Sequence, residues 1–436
     1  MKIAIVGTGV AGLITAHRLH PHHDITLFEA DSRIGGHANT VDVTVDGVCH
    51  AVDTGFIVYN ERNYPGFCSM LRELGVETQP AAMSFSVADR RSGLEYRGSN
   101  LNTMFAQRRN IYRPSFVRLL IEIARFNRAA RALVAGEQEW RGADRLAPPT
   151  SPIDDATEDE SLAQFIERGR YSPAFVSLFL VPFGASIWSA DPETFTRFPV
   201  RAYARFMHNH GLLGIAAQPA WRTVTGGSRR YVEALTAPFS DRIRLASPVH
   251  KIVTRTNVAG ESVVELLTDR GPEPFDRIVI AAHSDQALRM LTDASAAERS
   301  ILGAISYQRN TATLHSDERM LPMNSRARAS WNYAIDAGSR RATVTYWMNA
   351  LQSIKSTRPL LVTLNRSAAI DPRSVHAEFD YHHPVFDAAA IAAQRRRHEI
   401  QGRRGIYFAG AYWGYGFHED GVQSGIEVAD AIGRTP

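Results

Sequence analysis

The chain opens with a short β-type apolar run, Lys2–Val6, that stops at Gly7-Thr8-Gly9-Val10-Ala11-Gly12 and passes into a helix-like stretch ending near Leu19. A polar turn and a second apolar run over residues 25–29 follow. No other feature restricts the fold as tightly. Glycines at this spacing, between a strand and a helix, make the tight turn, let a pyrophosphate approach the backbone and let helix pack on strand. The helix start then offers unpaired N–H groups, around Val10 and Ala11, and the positive end of a dipole to phosphate oxygens. Glu29, closing the second strand, is placed to accept hydrogen bonds from an adenosine ribose. The expected fold class is α/β, built on a Rossmann-like dinucleotide-binding domain.

A chain of 436 residues with 44% hydrophobic content buries a large core and exceeds one average domain. Its apolar stretches fall short of the roughly 20 residues a membrane span needs. The first residues lead straight into a strand and not into a secretory leader, so the expected compartment is the cytoplasm. Cys49 and Cys68 accordingly read as free thiols. The net charge of +4 does not mark a nucleic-acid binder. Of the 49 basic residues only Lys2, Lys251 and Lys355 are lysine.

Alternating patterns at residues 40–45 and 48–52, joined by Asp46-Gly47, predict a hairpin. Helical spacing over residues 101–134 is decorated by arginines, and residues 136–160 read as an exposed linker. Helical periodicity resumes over 161–187, and strands are expected near 243–245, 249–253, 263–268, 277–281, 342–348, 360–364 and 406–409, ahead of a final helix. The arginine-studded segment from Arg108 to Arg131 has the character of a basic amphipathic helix suited to anionic lipid headgroups, although most charged helix faces are simply solvated.

Several motifs decide between NAD and FAD. Glu29-Ala30-Asp31-Ser32-Arg33-Ile34-Gly35-Gly36-His37 resembles the flavin-containing amine oxidase superfamily, which also holds phytoene-type desaturases and protoporphyrinogen oxidase. In that superfamily a second glycine pair wraps the FAD phosphates, often with an arginine where this chain has His37. Asp53-Thr54-Gly55-Phe56 resembles the element beside the flavin, Thr225-Gly226-Gly227-Ser228 the central glycine pair, and Ser247-Pro248-Val249 the turn that meets adenine. Tyr407-Phe408-Ala409-Gly410-Ala411 and the segment from Phe417 to Gly425, with His418, Gly421 and Val422, resemble the closing motif, which sets a helix N-terminus under the pyrimidine edge of the flavin. A helix start there stabilises the negative charge of a reduced flavin. The resemblance implies FAD as cofactor and no metal. It further implies a glutathione-reductase-type domain assembled from residues 1–85, 205–290 and 395–436, with an interleaved α+β substrate domain from 86–204 and 291–394.

Amine-oxidising members of the superfamily commonly place a lysine near flavin N5. By register that position falls near residues 307–315, where Asn310 stands, and Lys355 lies in an expected loop. The stretch from Asp53 to Arg62, Phe206-Met207-His208-Asn209-His210-Gly211 and Tyr415-Gly416-Phe417-His418-Glu419-Asp420-Gly421 are most similar to bacterial FAD-dependent oxidoreductases that resemble the oxidase-like domain of plant cyclopropane fatty acid synthases. That resemblance implies hydride removal from an apolar substrate, desaturating or oxidising a methyl-branched fatty acyl chain. A phospholipid acyl substrate, contact with the inner membrane surface and a lipid methyltransferase partner go with it. An amine oxidase without the usual lysine, or a non-catalytic flavoprotein partner of such a methyltransferase, are the alternatives. Acid–base candidates are His208, His210, His315, His418 and Glu419, with Tyr59 and Asn60 as hydrogen-bonding neighbours and Asn310 in the lysine register.

Overall fold

The computed structural model describes residues 1–140, 160–214, 219–256, 262–336 and 341–433. Most of the 136–160 stretch read as a linker lies outside the described residues. Strand Lys2–Val6 becomes the middle of five parallel strands, in the order Ile243–Arg244, Asp24–Phe28, Lys2–Val6, Arg277–Ile280 and Ile406–Phe408. A parallel sheet is covered on both faces, and the strands read accordingly as near-continuous apolar runs. Ile3 and Ile5 face one core with Leu13, Leu27 and Val279, whereas Ala4 and Val6 face another with Phe28, Ile278 and Ile280. An antiparallel sheet of Lys251–Thr256, Ser262–Thr268 and Gly271–Phe275 packs on the second core through Val264, Leu266 and Phe275. Ile301, Leu302 and Ile305 lie in that core too, so it reaches past residue 290.

The first helix, Val10–Leu19, and the last, His418–Gly433, cross closely on one face of the parallel sheet. Gly421 and Gly425 make this crossing possible. A Cβ on Gly421 would lie 2.7 Å from a Val10 methyl, and one on Gly425 would collide with Ile14 and the Ala11 carbonyl.

A seven-stranded sheet forms the other half, in the order Val375–Pro384, Tyr307–His315, Leu361–Leu364, Val344–Trp347, Trp331–Ile335, Phe85–Asp89 and Leu94–Arg97. Its pairs are antiparallel except the parallel pair of Trp331–Ile335 with Phe85–Asp89. Helices Pro114–Trp140 and Val200–Asn209 pack beside it, with Phe116, Leu119, Phe126, Tyr203 and Phe206 in a common core. The helical stretch expected over 161–187 is broken into Leu162–Arg168, Pro173–Phe175, a π-helical turn Val176–Leu180 and Val181–Trp188. Pro173 and Pro182 withhold N–H groups from a continuous ladder, and a π turn absorbs the misfit.

The two halves are tied by Asp53, at the end of hairpin strand Val48–Asp53. Its carboxylate accepts hydrogen bonds from the Ser228 amide at 2.9 Å, the Ser228 hydroxyl at 2.7 Å, the Thr40 hydroxyl at 2.6 Å and the Gln352 amide nitrogen at 2.8 Å. The neighbouring Gly227 has φ +90°, and a Cβ there would lie 2.5 Å from Thr40, so glycine is required by both conformation and space.

Candidate active site

One cavity of about 1780 Å³ runs between the two halves. Ligand pockets usually hold 300–1,000 Å³, so this one has room for a dinucleotide and a second molecule. Its first end is walled by Gly7, Gly9, Glu29, Ala30, Val249 and Ala281. Gly7 turns at φ +101°, and a Cβ on Gly12 would collide with the Gly7 carbonyl, which is the tight strand–turn–helix packing expected from the spacing. A Cβ on Gly9 would meet nothing within 4 Å, so the backbone faces open cavity at the start of the first helix. Glu29 is held in place by accepting hydrogen bonds from the Thr8 amide at 3.0 Å and the Asp31 amide at 2.9 Å.

Further along, Gly36, His37, Thr54, Gly55, Phe56, Gly410, Ala411 and His418 line the same cavity. Gly36 approaches Gly9, since a Cβ on it would sit 3.2 Å from the Gly9 Cα. Gly35 turns at φ +108° beside it, and the Arg33 guanidinium donates to the Gly36 carbonyl at 2.9 Å. Gly421 and Val422 act from behind, holding the last helix against the first. The glycine cradle, the acid, the adenine-side turn and a second helix start at the far end fit FAD. FAD supplies a hydride acceptor, and the protein supplies its seat and the substrate's orientation.

The structure separates the acid–base candidates. Glu419 is buried with its two oxygens accepting the amides of Gly66 and Phe67, each at 2.9 Å, so it caps helix Pro65–Glu73 and does not line the cavity. His208 lies on helix Val200–Asn209 outside the cavity wall. Buried His315 bonds the Thr363 hydroxyl at 2.7 Å and the Asp317 amide at 3.0 Å, also away from the cavity. Tyr59 packs in the core with Tyr64 and Phe67, and the Asn60 side-chain Oδ1 accepts the Asn63 backbone amide. Neither residue lines the cavity.

His418 lines it, but its ring stacks on Phe56 with centroids 3.6 Å apart and shares a 2.7 Å hydrogen bond with the Tyr231 hydroxyl. Burial pushes its imidazole down to about 3, which keeps it neutral. Asn310 lies behind the wall and donates to Nδ1 of His383 at 2.9 Å, while its own oxygen accepts from the Asn365 amide nitrogen at 2.7 Å. An amide donor fixes Nδ1 as the acceptor, so the neutral His383, held at about 4 by burial, carries its proton on Nε2.

His210 is the candidate that faces the cavity with a usable nitrogen. Its Nδ1 donates to the Phe206 carbonyl at 2.9 Å, which leaves Nε2 as the basic atom, and its ring stacks on Phe206 at 3.9 Å. Burial brings its imidazole down to about 4. Trp188, Phe206, Trp221, Tyr415 and Phe417 form an aromatic wall around it. Phe206, Tyr415 and Phe417 stand in motifs the sequence marked, whereas Trp188 and Trp221 carried no signal, because each comes from a separate segment. A group of His37, His283 and His383 with Tyr381 was equally hidden, although Tyr381-His382-His383-Pro384 is a conspicuous tetrad. Among the described residues no group of side chains is arranged to hold a metal ion.

The geometry agrees with what the chain is similar to. Solved structures that share the fold include cyclohexylamine oxidase from Brevibacterium oxydans, at 15% identity and TM-score 0.69 over 99% of this chain and 98% of that one. Putrescine oxidase bound to putrescine matches at 16% identity and TM-score 0.67 over 100% of both chains. A CLA-producing fatty acid isomerase from P. acnes matches at 15% identity and TM-score 0.66 over 99% of this chain and 98% of that one. No curated protein matches in sequence. The family model for flavin-containing amine oxidoreductases matches residues 10–312, well over half the chain. With that match and a cavity built for FAD, the chain belongs to the flavin-containing amine oxidoreductase family and is an FAD-dependent oxidoreductase.

Proposed function

We propose that this flavoenzyme removes hydride from an uncharged, elongated substrate, a fatty acyl chain. The observation that carries the reading is the chemistry of the wall. Of the described residues lining the cavity only Glu29 and Arg289 are Asp, Glu, Lys or Arg, and both belong to the nucleotide end. Beyond it Phe179, Phe183, Trp188, Leu120, Ile123 and Met104 line it, with uncharged polar side chains such as Asn127 and Ser189 and neutral His210 among the aromatic rings. An ammonium ion entering such a wall loses its water with no carboxylate to replace it, a cost of several kcal/mol. An acyl chain gains about 0.8 kcal/mol for each CH₂ it buries.

Lysine chemistry has no place in this wall either. Lys355 is exposed in the loop after Leu351, and neither it nor Lys2 or Lys251 lines the cavity. The fold admits a fatty acyl substrate, since a protein described as a fatty acid isomerase shares it. In this reading His210 Nε2 takes the proton from the carbon adjacent to the one that loses hydride, which makes the reaction a desaturation.

Anaerobic titration of the FAD-loaded protein with detergent-dispersed fatty acyl compounds, and separately with alkylamines, tests it. Acyl compounds are expected to bleach the visible flavin absorbance and amines to leave it unchanged. Bleaching by amines alone would overturn the proposal.

A further inference from the structure

The cavity opens to the surface beside its apolar wall. Asn100, Leu101, Asn102 and Ala124 both line it and are exposed, so it opens between helices Leu101–Met104 and Pro114–Trp140, away from the nucleotide end. The surface around this mouth is unusually apolar. Of the ten large apolar side chains exposed among the described residues, five lie between residues 101 and 121: Leu101, Ile111, Tyr112, Val117 and Ile121. Tyr112 is 86% exposed, Leu101 76% and Ile121 63%. Met323, at 92%, joins them, because its neighbour Asn324 donates to the Ala106 carbonyl at 3.0 Å. Val117, Ile121 and Ala124 follow one stripe of the long helix, and the adjoining stripe of Leu120, Ile123 and Asn127 turns into the cavity.

Charge surrounds the patch. Residues 101–135 contain seven arginines and a single acid, Glu122, which is buried and engaged by Ser172 and Arg118. Arg108, Arg109 and Arg113 have no carboxylate within ion-pair distance among the described residues. Exposed apolar side chains ringed by cations that lack counter-charges match an anionic lipid surface, with hydrocarbon below and phosphate above.

We infer that this face docks on an anionic phospholipid bilayer and that acyl chains pass from the bilayer through the mouth at Leu101 and Ala124 into the cavity. The second step deepens the acyl reading and rests on it; the docking itself does not. A protein partner seated on the same face would be indifferent to lipid charge.

Flotation of the FAD-loaded protein with vesicles of phosphatidylglycerol and phosphatidylcholine, or of phosphatidylcholine alone, tests the docking. Binding is expected only with phosphatidylglycerol present, and raised salt should weaken it. Arg108→Gln, Arg109→Gln and Arg113→Gln together should weaken partitioning on the order of a hundredfold. Ile111→Ser, Tyr112→Ser and Ile121→Ser should weaken it at least tenfold while the flavin content is unchanged, which certifies the fold. No binding to anionic vesicles, or equal binding by parent and both variants, overturns the docking. If dispersed acyl compounds bleach the flavin but vesicles do not bind, docking falls and the acyl reading stands. If vesicles bind and no acyl compound reduces the flavin, docking stands and the passage of acyl chains falls with the acyl reading.

Discussion

At Glu419 a carboxylate beside the flavin site is turned to the neighbouring helix, where it satisfies the first N–H groups of Pro65–Glu73. Replacing it by alanine leaves those donors buried and unpaired, and the protein should lose about 1–3 kcal/mol of stability. A lowered melting temperature, with the pH profile of flavin reduction keeping its shape, is the expected result. His210→Phe preserves the ring stack on Phe206 and removes Nε2. Stopped-flow flavin reduction by an acyl substrate should slow by about 100-fold or more at unchanged flavin content. The sequence could nominate both residues but not rank them. Whether Glu419 meets a substrate or a helix cap depends on Gly66 and Phe67, more than 350 positions earlier in the chain. His208 and His210 share a motif, but His208 is still on helix Val200–Asn209 while His210 follows its last turn, so one faces the cavity and the other does not.

Among the elements, the crossing of the first and last helices sets the quality of the phosphate site, because the N-terminus of Val10–Leu19 is part of the cavity wall. Gly425→Val pushes a side chain into Ile14 and the Ala11 carbonyl. Overpacking of this kind costs about 1–3 kcal/mol, and the displaced helix start should also weaken FAD retention, read by the flavin released on gel filtration. Elements whose apolar period is unbroken were legible: the opening strand, first helix and second strand, the 40–53 hairpin, and the strands at 263–268 and 277–280. The 161–187 segment was not, since its apolar residues keep helical spacing across breaks made by backbone geometry. The long strand Val375–Pro384 was missed because it lies at a sheet edge with alternating exposed polar residues and ends in proline.

For the molecule as a whole, two buried carboxyls take stability away as pH rises, opposing buried neutral histidines such as His210, His383 and His418, which add it. Burial pushes Asp53 up to about 6 and Asp420 up to about 7, each against the hydrogen bonds it accepts. Both values lie above those of an unfolded chain, so the folded state holds the extra protons between about pH 4 and 7 and loses their contribution as pH rises through that window. Each is worth on the order of 3 kcal/mol. Asp420→Asn keeps the acceptor for the Tyr415 and Phe417 amides and removes the titration, so between pH 4.5 and 7.5 the variant's urea midpoint should rise relative to the parent's. The arrangement of the parallel sheet bears on the protein's birth as well. Its central strand Lys2–Val6 is made some four hundred residues before its edge strand Ile406–Phe408 and the helix that braces the phosphate turn. A nascent chain on the ribosome therefore carries the glycine turn for some four hundred codons without the pieces that complete it. The FAD seat is complete only when these late elements arrive, and until then the chain exposes an unfinished sheet edge.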